Sequence, residues 1–147
     1  MKRTALAVFA MALASTLTAH ARIGETRAQI DARYGNGKQI RDRLPETVQL
    51  EYHSGGFTID VVFFNDRSVW ELFKREDTLI TDGDIDRVLN VLAVGRWRWD
   101  EKMCCWISPD GTMSASRQPG HPDFLSTKDI EKVKEIEERH KANLDGL

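Results

Sequence analysis

Polar and apolar residues alternate most cleanly between Val48 and Phe73. Val48, Leu50 and Tyr52 alternate with Gln49, Glu51 and His53. Ser54-Gly55-Gly56 breaks the pattern, and Phe57, Ile59, Val61 and Phe63 then alternate with Thr58, Asp60 and Val62. Asn65-Asp66 makes a second break before residues 69–73, where Trp70 and Leu72 share a face. A period of two with breaks this short predicts an antiparallel meander. The run Val61-Val62-Phe63-Phe64 is apolar on both sides of the pleat, which predicts a central strand with both faces at least partly covered.

Elsewhere the period lengthens. Residues 24–34 read as a short helix: Ile30 and Tyr34 share a face, Glu25 favours the positive N-terminus and Gly35 suits a left-handed C-cap. A second helix is signalled by Thr81 as N-cap, Asp84 closing a capping box, and Ile80 with Ile85 as a staple. Ile85, Val88, Leu89 and Leu92 give it one apolar stripe, and Gly95 ends it. Trp97 and Trp99 then alternate with Arg96, Arg98 and Asp100, and residues 103–107 and 112–116 read as strands around a turn at Pro109-Asp110-Gly111. Residues 118–123, with two prolines and a glycine, read as a loop. A last helix is expected from Ser126 as cap, with Asp129 in the box, Leu125 and Ile130 as staple, and Val133 and Ile136 inward. It frays beyond about Ala142.

Residues 79–88 line up with residues 124–133 at an offset of 45, and a hairpin precedes each. Helix starts converge on cap, acid and staple for physical reasons, so the echo is either a true repeat or such convergence. The expected fold is α+β: an antiparallel sheet of about 5–7 strands with helices on one face, built from two hairpin–helix units if the repeat is real.

Residues 1–21 change the picture, because they read as an address. Lys2 and Arg3 precede an apolar run, and Ala19-His20-Ala21 is a small-x-small site, so a secretory signal peptide cut between Ala21 and Arg22 is expected. Residues 22–147 then form a single domain, periplasmic or secreted. The whole chain carries a net charge of −2, and the segment removed holds two bases and no acid. A mildly acidic, mixed surface argues against nucleic acid as a partner. No cysteine stands directly after the apolar run at the expected cleavage site, and no second run is long enough to span a bilayer, so no stable membrane anchor is expected.

The segment from Ile23 through Gly24-Glu25-Thr26 and Ile30 to Tyr34-Gly35 resembles the helix that opens small exported domains of the SmpA/OmlA (BamE) type and of the β-lactamase-inhibitor-protein-like fold. There a Gly-x-Thr start leads into an apolar-spaced helix ended by glycine, before antiparallel strands. The resemblance covers residues 23–35 and is architectural beyond them. It implies a non-enzymatic exported domain with layered α/β structure. The lipidated cysteine of the outer-membrane assembly lipoproteins is missing, so anchoring and an assembly role do not carry over.

Candidate chemistry is sparse. Asp82-Gly83-Asp84-Ile85-Asp86 has alternating acids, but a calcium loop starting there would need glycine and glutamate where Arg87 and Ala93 stand. Acids favouring a helix N-terminus explain the cluster. His53, His121 and His140 are scattered, and neither a His-Glu-x-x-His pair nor a Gly-x-Ser-x-Gly elbow occurs. No metal, cofactor or catalytic residue is therefore assigned, although two carboxylates brought together by folding would leave a hydrolase open. Cys104 and Cys105, adjacent in an expected strand, would point to opposite faces. They read as one core thiol and one exposed neighbour, with an intermolecular or a vicinal disulfide as alternatives. Arg96-Trp97-Arg98-Trp99 is the candidate binding segment: two tryptophans flanked by guanidinium groups suit a protein partner or a sugar ring, unless they fill the core. The expected function is a protein-binding or scaffold module acting on an envelope protein. The alternative is a cell-wall or saccharide-directed binding protein or hydrolase using Trp97 and Trp99.

Overall fold

The computed structural model describes residues 23–41, 44–118 and 121–145. The expected signal peptide and its cleavage site at Ala21–Arg22 lie outside them. In chain order the elements are α1 (Arg27–Tyr34), β1 (Lys38–Gln39), β2 (Thr47–Ser54), β3 (Phe57–Phe64), β4 (Arg67–Arg75) and α2 (Asp82–Leu92). Then follow β5 (Arg98–Asp100), β6 (Cys105–Ile107), β7 (Met113–Gln118), β8 (His121–Asp129) and α3 (Ile130–Asp145). The strands form one open antiparallel sheet of eight, in the order β1-β2-β3-β4-β8-β7-β6-β5. The fold is α+β, with more strands than the alternation alone suggests. Two four-stranded meanders meet through their last strands, β4 and β8, and each is followed by a helix.

Local chemistry explains most of this. Gly55 and Gly56 sit at φ 59° and 78°, and Asn65 and Asp66 at 50° and 60°, so both two-residue turns of the first meander occupy the left-handed region that tight hairpins need. Thr26 caps α1 in a reciprocal box with Gln29, and Thr81 caps α2 in the same way with Asp84. Ile80 and Ile85, the expected staple, are both buried in one core cluster.

Three expectations need correction. The described residues of the expected 118–123 loop are strand: β7 continues to Gln118 and β8 begins at His121, paired with each other across a register shift between Arg117 and Gln118. Pro122 is tolerated because it lies in the irregular stretch between the His121 and Leu125 pairings with β7, and β8 pairs with β4 only from Phe124 onward. Ser126 does not cap the last helix. It lies inside β8, where its hydroxyl accepts a hydrogen bond from Trp70 Nε1 at 2.7 Å. The helix starts after Asp129, whose carboxylate accepts from the Lys132 N–H at 2.8 Å. The residue-level echo at offset 45 thus aligns a helix cap with a strand interior, and the repetition is one of architecture only.

The third correction concerns layers. The larger core cluster joins Ile30 of α1 and Ile85, Val88, Leu89 and Leu92 of α2 to Val61, Phe73 and Leu125 of the sheet. Ile136 of α3 packs instead with Val62, Phe64 and Val69. Val61 and Val62 point to opposite faces, so α1 and α2 cover one face and α3 covers the other. The run from Val61 to Phe64, buried at all four positions, is the sequence signature of that two-sided covering.

Candidate functional site

The second meander ends in a short hairpin that presents the candidate residues. Trp97 precedes β5 and packs against the main core, donating its Nε1–H to the Leu89 carbonyl at 2.8 Å at the end of α2. It is a structural residue. Trp99, in the middle of β5, is 47% exposed and pairs in register with Trp106 on β6. Their rings meet edge to face with centroids 4.8 Å apart, a geometry that aromatic quadrupoles favour. Arg96 and Arg98 are exposed. The structure therefore separates the two tryptophans, keeping Trp99 at the surface with both arginines.

The hairpin tip is built by Asp100, whose Oδ1 accepts from the N–H groups of Lys102 and Met103 at 3.0 and 3.1 Å. Met103 is 63% exposed. Cys104 belongs to this turn, not to a strand. It sits at φ 48°, exposed, with its thiol on the Glu101 carbonyl at 3.4 Å. Cys105 opens β6 and is buried, and both thiols are free. Burial first, and then Asp100, raises the Cys105 pKa, so this thiol is poorly suited to nucleophilic work.

Two polar arrangements escaped the sequence reading. On the face of the sheet that carries Leu72, an open groove of about 370 Å³ is lined by Glu51, His53, Asp60, Lys74 and Glu76 beside Phe124. His53 contacts Glu76 through Nδ1 at 2.9 Å and Glu51 through Nε2 at 3.4 Å. Glu76 first, then Glu51, raises its pKa. Lys74 lies 3.8 Å from Asp123, and Arg75 hydrogen-bonds Asp84. The groove's cations are thus engaged with carboxylates.

The second arrangement is internal. Glu71 is fully buried on β4, neither carboxylate oxygen has a hydrogen-bond partner among the described residues, and its pKa is pushed up to about 8 by burial first and Glu25 second. Strand alternation alone marks it, because Glu71 stands where Phe73 and its neighbours demand an inward residue.

Comparison with known proteins adds no relative. No family model matches the chain, and no curated protein or solved structure matches it. Among the described residues no group of three or more His, Cys, Asp or Glu side chains is placed to hold a metal, and no helix is long and apolar enough to cross a membrane.

Proposed function

We propose that this chain is an exported protein-binding domain whose contact surface is the β5–β6 hairpin centred on Trp99. The observation that carries the reading is a half-exposed tryptophan braced by Trp106 on an outermost strand, directly after the exposed Arg98 and three residues after the exposed Arg96. Tryptophan and arginine are the residues on which protein contacts most often concentrate their energy. The exposed Met103 at the tip and Val94 just upstream add apolar surface that an aqueous domain gains nothing by showing. Export rests on the leader-like residues 1–21. The resemblance of residues 23–35 to small exported domains is a second ground for export.

The saccharide alternative is less well supplied. A sugar platform needs acceptors beside the ring, and the nearest carboxylate along β5, Asp100, spends Oδ1 on its own turn.

A photo-crosslinking amino acid at Met103, which leaves Trp99 in place, tests the proposal in cells that export the protein. A discrete protein adduct is expected, and it should be lost on Trp99→Ala but kept on Val48→Ala. No protein adduct, together with a saccharide that changes tryptophan fluorescence only while Trp99 is present, would replace this reading with the alternative.

A further inference from the structure

We infer that the partner of the β5 edge is a second copy of this chain, joined strand to strand about a two-fold axis at Trp99. The inference rests on the reading of this hairpin as a protein-contact surface and names its occupant. β5 is one end of an open sheet, so the outer side of its backbone has no strand partner among the described residues. Unpaired strand edges are templates for another strand, and proteins that must avoid pairing block them. β1, at the other end, is two residues long, Lys38 and Gln39. β5 carries Arg98, Trp99 and Asp100.

The charge pattern selects both the occupant and the register. In an antiparallel pair centred on Trp99, Arg98 of each copy stands directly opposite Asp100 of the other, giving two opposite-charge pairs on one face and Trp99 against Trp99 on the other. Sliding the centre to residue 98 sets Arg98 against Arg98. Sliding it to residue 100 sets Asp100 against Asp100. Only the Trp99-centred register is self-complementary. Both groups are available for it: Arg98 forms no ion pair among the described residues, and the turn engages Asp100 through Oδ1 alone. Three residues a side fall short of the roughly 1,200–2,000 Å² of a stable interface, so the dimer is weak and concentration-dependent.

Sedimentation velocity over a wide dilution series tests this on the parent chain and its charge variants. The parent should shift from monomer to dimer as concentration rises. Arg98→Asp and Asp100→Arg should each weaken dimerisation by about tenfold or more, since each places like charges opposite across both pairs. Mixing the two variants should restore dimer. One copy then carries acids at both positions and the other carries bases at both, so each cross-strand pair is again of opposite charge. Asp100→Asn, which keeps the acceptor for the turn, should weaken the dimer without disturbing the hairpin. A chain that stays monomeric throughout, or a dimer indifferent to these changes, overturns the inference. A monomer that still yields a Trp99-dependent adduct with another protein leaves the contact surface standing and removes only the second copy.

Discussion

Glu71 on β4 lies directly across the ladder from Thr127 on β8, both on the face covered by α1 and α2, and both with buried side-chain oxygens that find no hydrogen-bond partner among the described residues. A carboxylate held there ionised would cost several kcal/mol, so the folded protein keeps the acid form to unusually high pH. Burial is the main cause, Glu25 adds to it, and Arg33 opposes both.

A pH dependence of stability follows. In the unfolded chain Glu71 titrates near 4.5, and in the folded protein near 8. Below both values the group is protonated in either state and contributes nothing. Between them the folded state holds a proton that the unfolded state has lost, so unfolding free energy falls as pH rises, by about 1.4 kcal/mol per unit. His53 adds a slope of the same sign, because Glu76 and Glu51 raise its pKa. Urea titrations from pH 5 to pH 8 on the parent and on Glu71→Gln isolate the Glu71 part. The variant should overtake the parent as pH rises, and parallel curves would disprove the assignment.

Asp84 has the opposite behaviour. It accepts from both the Thr81 N–H at 3.0 Å and Arg75 Nε at 3.2 Å, and Arg75 Nη2 also reaches its other oxygen. The Arg75 guanidinium first, and Thr81 after it, hold the carboxyl well below the usual carboxylate range. Its contribution is therefore complete above the unfolded value of 3.8 and is lost as pH falls below it. Asp84→Ala removes the capping box and leaves Arg75 unpaired, at an expected cost of about 2–3 kcal/mol near neutral pH. Thermal unfolding at pH 7 and at pH 2.5 measures both parts, with the difference between variant and parent shrinking in acid.

Gly37 is fixed by contact. A Cβ there would lie 2.5 Å from Cζ of Tyr52, whose hydroxyl donates to Asp31 Oδ1 at 2.8 Å and ties α1 to β2. Gly37→Ala must push the ring or the strand connection aside, costing about 1–3 kcal/mol. In a Tyr52→Ala background the same change should cost far less, and a chemical-denaturation double-mutant cycle reads the coupling directly.

These positions show how much the sequence disclosed. The meander from β2 to β4 was legible because one residue in two is apolar and the turns carry Gly-Gly and Asn-Asp, both local properties. The α2 cap was legible for the same reason. The start of α3 was not, since Leu125-Ser126-Thr127 satisfies a helix cap and a strand equally, and pairing of β8 with both β4 and β7 decides between them. Which face α3 covers is likewise a long-range choice. At the site, Arg96, Trp97, Arg98 and Trp99 were found together as a segment, but whether a tryptophan faces the core depends on where α2 ends. Glu71 was missed because a charge on an alternating strand is normally a wet residue.

The split between the two tryptophans gives the last expectation. Trp97 is wedged against the main core and hydrogen-bonds the Leu89 carbonyl, so Trp97→Ala opens a cavity and frees a buried acceptor, costing about 2–4 kcal/mol. Trp99→Ala forfeits mainly the edge-to-face contact with Trp106, costing about 1 kcal/mol. The spectra should divide the same way. Removing Trp97 takes away blue-shifted, quencher-resistant emission, whereas removing Trp99 takes away the fraction that acrylamide reaches. If Trp97→Ala left stability unchanged while Trp99→Ala unfolded the domain, the roles assigned to them would be reversed, and the contact surface would have to be sought on Trp97 and the end of α2.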